Sequence, residues 1–142
     1  MSYVVDASIV VAWFIPGEPW TVKARKLRDE YAEGLVRLYA PNILVYELNN
    51  SLWKAVRRNL IDFKVASSCI EVFSKIAPEL LPLSLDEQHK ALKIAVDESI
   101  TFYDSAYIVI TQATGSTLVS ADLDLASVAR KYVNTILVRE LP

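Results

Sequence analysis

Five short apolar runs, at 3–5, 35–40, 80–83, 117–120 and 135–138, are each parted from the next by sequence of helical character, and this alternation constrains the fold more than any other feature. Parallel strands cannot be joined by a tight turn; they need a crossover of a dozen or more residues, usually helical. The pattern therefore predicts an α/β fold, a three-layer α/β/α sandwich with a mainly parallel central sheet. Helices are read at 8–14, 20–33, 42–59, 63–76, 85–98, 101–114 and 123–132. Leu44, Leu48, Leu52 and Ala55 give the third a buried stripe, and Ser84 with Glu87 forms a capping box before the fifth. Pro41 is read as opening the third helix and Pro78 as ending the fourth, while Gly34 and Gly115 supply stops. With 142 residues, 53% of them hydrophobic, the chain fits one domain with one core over residues 1–142.

Composition narrows the function by exclusion. A net charge of −2 and a pI near 5.4 argue against a protein that coats nucleic acid through a basic field. The single cysteine, Cys69, allows neither a disulfide framework nor a thiolate metal site. No signal-like pattern precedes the first strand, and no apolar run nears the roughly 20 residues that span a bilayer. A cytoplasmic protein without membrane association is the expectation.

Four carboxylates stand where charge is unexpected. Asp6 ends the first apolar run, Glu47 lies inside Ile43-Leu44-Val45-Tyr46-Glu47-Leu48, Asp104 falls in the first turn of the sixth helix, and Asp122 follows the strand Leu118-Val119-Ser120. Each has a structural alternative. Asp6 and Asp122 are placed to cap the helices that follow, Asp104 to complete a capping box with Thr101, and Glu47 to sit at a partly exposed rim. Together they are harder to explain that way, because strand ends and the helix starts beyond them share one edge of an open α/β sheet, where ligands bind. Carboxylates gathered there repel at several kcal/mol per buried ion, against a domain stability of about 5–15 kcal/mol. No lysine or arginine neighbours any of the four in sequence. Oxygen donors alone, with the only histidine, His89, on a surface-type helix, favour Mg²⁺ or Mn²⁺ over zinc. One or two such ions lower the pKa of a bound water and neutralise a leaving oxygen, which is nuclease chemistry.

With these residues the chain resembles PIN-domain ribonucleases, and more closely VapC-like toxins of prokaryotic toxin-antitoxin pairs. The resemblance rests on Val5-Asp6-Ala7-Ser8, on Tyr46-Glu47-Leu48-Asn49-Asn50-Ser51-Leu52-Trp53-Lys54-Ala55, on Tyr103-Asp104-Ser105-Ala106-Tyr107 and on Val119-Ser120-Ala121-Asp122, in that order, and it covers essentially the whole chain. It implies a metal-dependent endoribonuclease with Asp6, Glu47, Asp104 and Asp122 as ligands of Mg²⁺ or Mn²⁺. Ser8, Asn50 and Ser120 match supporting positions. Asp124, two residues after Asp122, is the alternative fourth ligand. The resemblance further implies a homodimer and a cognate antitoxin protein docked on apolar helices. The densely apolar helix from Phe63 to Ile76 and the aromatics Trp13, Phe14 and Trp20 offer such a surface, with core packing as the other reading.

For the RNA itself, Glu47, Ser51, Lys54 and Arg58 follow one another at spacings of four, three and four, so one helix face leads from the acids to two cations. Alternatively these cations simply complement a helix C-terminus. Two rival readings remain: a degenerate PIN fold that binds RNA or protein, and a metal-dependent phosphatase. The first is expected to have lost acids, and all four are present. The second lacks the additional Asp two residues after Asp6, where Ser8 stands.

Overall fold

The computed structural model describes residues 1–142. Strands β1 (Ser2–Val5), β2 (Arg37–Pro41), β3 (Glu79–Leu81), β4 (Thr117–Ser120) and β5 (Thr135–Leu137) form one sheet in the order β3-β2-β1-β4-β5. Every neighbouring pair is parallel. Between them run α1 (Ala7–Phe14), α2 (Thr21–Ala32), α3 (Ile43–Arg57), α4 (Phe63–Ile76), α5 (Leu85–Glu98), α6 (Phe102–Thr114) and α7 (Leu123–Ala129), and a 3₁₀ turn at Val138–Glu140 follows β5. The α/β sandwich read from the sequence is the one observed, with a sheet that is parallel throughout. Val4, Val5, Leu118 and Val119 in the two central strands are fully buried. Strands covered on both faces need apolar residues at every position, which is why these runs do not alternate.

The topology fixes where a site can form. From β1 the chain steps outward to β2 and β3, crosses back to β4, and steps outward on the other side to β5. Right-handed crossovers then set α1–α4 on one face and α5–α7 on the other. The direction reverses between β1 and β4, and ligands of open α/β sheets bind in the crevice beyond the carboxyl ends at such a switch point. Asp6 directly follows β1, and Asp122 stands just past β4 as the N-cap of α7.

Local differences from the sequence reading have local causes. Pro41 closes β2 opposite Leu81 and does not open α3; it lies past Tyr39, the last β2 residue that β1 pairs. α3 stops at Arg57 because Asn59 turns left-handed at φ 58°, letting the N–H groups of Asn59 and Leu60 close on the carbonyls of Val56 and Ala55. α7 ends at Ala129 and the chain reaches Tyr132 through turns. The capping box of Ser84 and Glu87 is present on α5. Trp13, read as needing cover, is a core residue whose indole N–H donates to the Ala24 carbonyl at 2.9 Å, joining α1 to α2. Phe14 packs edge-on against Phe73 of α4. By contrast α4 leaves Phe63, Val65, Ile70 and Val72 exposed.

Candidate active site

Asp6 occupies the N-cap position of α1, yet its carboxylate makes no bond to the helix backbone. Two serines hold it instead. Ser8 Oγ donates to Oδ1 at 2.5 Å, and Ser120 Oγ donates to Oδ2. Both hydroxyls are fixed in turn by the loop after β4: the Ala121 N–H donates to Ser8 Oγ at 3.1 Å and the Asp122 N–H to Ser120 Oγ at 2.9 Å. Small hydroxyl residues at these two positions therefore lock the end of β1 to the end of β4 around one carboxylate. Asp6 is only 6% exposed. Burial pushes its carboxyl up to about 6; the bonds from Ser120 and Ser8 oppose that rise, and the charge of Asp122 adds to it.

The remaining acids are arranged around Asp6 from three other elements. Asp122 does cap α7, accepting from the N–H groups of Asp124 and Leu125 at 2.9 and 3.2 Å, but both bonds fall on Oδ1 and leave Oδ2 without a partner. Thr101 caps α6 by accepting from the Asp104 N–H at 3.1 Å, and no bond returns from the Asp104 carboxylate to the Thr101 backbone, so the capping box is only half made. Burial and then the charge of Asp122 raise the pKa of Asp104, against the lowering effect of the Thr101 hydroxyl. Glu47, early in α3, is half-buried and accepts from the Tyr107 hydroxyl at 2.7 Å. Burial raises its pKa, that hydrogen bond lowers it, and the charge of Asp104 raises it again. The charge of Asp122 thus acts on both Asp6 and Asp104, and that of Asp104 on Glu47.

Tyr107 did not figure among the residues singled out from sequence. It is 1% exposed in the middle of α6, and its hydroxyl is held far above its ordinary pKa by burial and by the charges of Glu47, Asp6 and Asp104. It therefore acts only as a hydrogen-bond donor, fixing one oxygen of Glu47. The available signal was a phenol within the apolar stretch 105–111, because a buried hydroxyl needs a partner.

No lysine or arginine compensates these acids. The six ion pairs of the molecule join other residues, on the outer surfaces of α2, α5 and the C-terminal segment. Asp124 is exposed, and its carboxylate makes no hydrogen bond or ion pair; Asp122, not Asp124, is the acid whose charge reaches Asp6 and Asp104. Asn50 is exposed on α3 and bonds to none of the four. Ser51 and Lys54 lie further along that helix, with Arg58 at its C-cap. Lys54 and Arg58 are exposed and unpaired.

The donor set suits a hard cation. All donors are carboxylate and hydroxyl oxygens, the most buried of them is an uncompensated aspartate, and the Asp122 Oδ2 is free. Those features fit Mg²⁺ or Mn²⁺. The sequence pictured a tight convergence, whereas no three of the carboxylates come close enough to enclose an ion by themselves. Ser8 and Ser120 hold Asp6 at the ends of β1 and β4, and Tyr107 ties Glu47 to α6, so the acids stay spread. A spread donor set also fits ions of this type, which commonly keep several waters and take only one or two carboxylates.

Comparison with known proteins shows the family. The family model described as PIN domain matches residues 3–131. Ribonuclease VapC3 of Pyrobaculum aerophilum is 33% identical over 131 residues, covering 89% of this chain and 93% of that protein. Exonuclease VapC9 of the same organism is 29% identical over 141 residues, covering 98% and 96%. Among solved structures, a chain of VapBC2 from Rickettsia felis, in a complex bound to a DNA fragment from its promoter, superposes with a TM-score of 0.71 at 13% identity over 96% of this chain and 98% of that one.

Proposed function

Because this chain belongs to the PIN-domain family, we propose that it is an endoribonuclease that hydrolyses internal RNA phosphodiester bonds with Mg²⁺ or Mn²⁺ and serves as the toxin of a toxin-antitoxin pair. The observation that carries the reading is a buried Asp6 without a lysine or arginine partner, at the switch point of the sheet, with the charge of Asp122 acting on it and on Asp104. Asp6, Glu47, Asp104 and Asp122 would hold one or two ions. Bound there, such an ion supplies an activated water and neutralises charge on the phosphate and the leaving oxygen.

The protein's own contribution is positioning. Ser8 and Ser120 keep both Asp6 oxygens in place, and their anchoring to the loop after β4 ties the position of Asp6 to that of Asp122. Tyr107 fixes Glu47 through one oxygen and leaves the other without a hydrogen bond. The cap on α7 spends one oxygen of Asp122 and orients the second. Lys54 and Arg58, unpaired on the α3 side, are suited to successive RNA phosphates.

An antitoxin and a second copy of the chain are the protein partners this reading implies. The exposed apolar residues of α4 supply surface for such a contact, and the VapBC2 neighbour is a complex of this kind. No helix is long and apolar enough to cross a membrane. A cytoplasmic site of action accords with that and with an RNA substrate.

The test is cleavage of an RNA blocked at one end by a fluorophore and at the other by a quencher, with Mn²⁺, Mg²⁺ or EDTA. Blocked ends exclude exonucleolytic release, so a fluorescence rise reports an internal cut. Wild type is expected to cut with metal and not in EDTA, and Asp6→Asn not to cut at all. Cleavage that survives EDTA or the substitution would refute the mechanism.

A further inference from the structure

Beside the acids lies a groove of about 490 Å³ that none of the site residues enters. It runs between the start of α2, the start of α7 and the end of β5, and Trp20, Val22, Leu123 and Leu137 form its apolar walls. Its polar edge consists of Lys23 and Arg139, and no carboxylate lines it. We propose that this groove is a nucleotide subsite, taking the base beside the cleaved phosphodiester against Trp20 and Leu123 and the adjoining phosphate on Arg139.

Three observations point to a nucleotide. First, the groove adjoins the acids. Ala121 and Leu123, which line it, bracket Asp122 in sequence, and the indole N–H of Trp20 donates to the carbonyl of Ser8, the residue whose hydroxyl holds Asp6. A nucleotide attached to a phosphate at the acids therefore has this groove as its neighbour. Second, its chemistry is that of a base site, with an indole and aliphatic walls for the ring and a cation at the rim for the phosphate. The volume falls in the range of small-ligand sites. Third, the charges are disposed for this use. Lys23 Nζ donates to the carbonyls of Arg139 and Leu141, pinning the C-terminal turn to α2 and fixing the groove wall. The Arg139 guanidinium beside it makes no hydrogen bond or ion pair and is exposed. In the strand order, β2 and the α3 that follows it, carrying Lys54 and Arg58, lie on one side of β1 and β4, and β5, followed by Arg139, lies on the other.

The proposal rests on the nuclease reading for its substrate, and its test separates the two. Leu123→Ser and Arg139→Gln alter exposed rim positions, and a urea midpoint for each variant checks folding directly. With Mn²⁺, a panel of short oligoribonucleotides differing in one base on either side of the cut is used to measure KM and base preference. In parallel, a 2′-O-methyl oligonucleotide, which resists cleavage, is titrated in Ca²⁺ while tryptophan fluorescence is followed, with Trp20→Phe identifying the responding residue. Each rim variant is expected to raise KM and the oligonucleotide Kd about five- to tenfold, the scale of one lost base stack, and Leu123→Ser to flatten the base preference. Unchanged KM, Kd and preference in folded variants overturn the subsite even where Asp6→Asn still abolishes cleavage. Variants that lose affinity only for the co-expressed antitoxin overturn it as well. If the wild type cuts no RNA with any divalent ion, the nuclease reading fails, and the Ca²⁺ titration alone decides whether the groove takes a nucleotide.

Discussion

Replacing Asp6 by asparagine is expected to make the metal-free protein more stable at neutral pH while abolishing its activity. The carboxyl of Asp6 titrates at about 6 in the folded chain, against an ordinary value of 3.8. The folded state therefore holds this proton more tightly than the unfolded state does. Between those two values the unfolded chain has already lost the proton that the folded chain keeps, so stability falls as pH rises through this window and stays low above it. For a group this deeply buried the loss comes to about 3 kcal/mol. Asparagine has the same shape and no charge, so it escapes the loss. Its amide NH₂ must, however, face one of the two serines, whose hydroxyl then lacks its acceptor at a cost of about 1 kcal/mol. The net gain is about 2 kcal/mol near neutral pH, or roughly 5–8 °C in Tm for a domain of this size. Urea unfolding in EDTA, repeated from about pH 4 to pH 8, measures it; contributions from groups common to both proteins cancel in the comparison. The wild type gains on Asp6→Asn as pH falls, and saturating Mn²⁺ at neutral pH reverses the ranking by stabilising only the wild type. A variant less stable than wild type in EDTA at neutral pH, or a stability difference that does not change with pH, would refute the reasoning.

Further outcomes follow from the contacts around the acids. Tyr107→Phe removes the hydroxyl that fixes Glu47 and is expected to weaken Mn²⁺ binding about tenfold, the usual scale for an outer-shell partner, as read by calorimetry. Ser120→Ala deletes the largest of the bonds that hold the Asp6 pKa down, so the rise of Mn²⁺ affinity with pH, centred near 6 in the wild type, is expected to shift upward; a profile that stays put counts against this role for the serine. Lys54→Ala combined with Arg58→Ala is expected to raise the Kd for single-stranded RNA about tenfold, to flatten its salt dependence, and to leave Mn²⁺ affinity unchanged. Unchanged cleavage kinetics would remove the path along α3.

Two of the acids were legible in the sequence because each breaks a local rule. A carboxylate at the end of a buried strand, or inside the apolar start of a helix, conflicts with burial, and Asp6 and Glu47 stand in those positions. Fold class was legible for a related reason: Val4, Val5, Leu118 and Val119 lie in strands too apolar to have a solvent face. What escaped depended on partners far apart along the chain. Tyr107 reaches Glu47 from 60 positions away, and although Ser120 was expected to support the site, its reach to Asp6 across 114 positions was not specified. No periodicity within a single helix encodes such a pair. The aromatic cluster misled because exposure cannot be judged from one element: Trp13 becomes core only once α2 offers the Ala24 carbonyl to its indole. The choice between Asp122 and Asp124 likewise turned on the first residue of α7, which places Asp122 at the N-cap and Asp124 on the exposed first turn.

Whether these acids share a divalent ion is measured without RNA by Mn²⁺ titration in an isothermal calorimeter at neutral pH. Wild type is expected to bind, and Asp6→Asn and Asp104→Asn each to weaken binding at least about tenfold. Affinity unchanged in both variants, or no binding by the wild type, would contradict the shared ion.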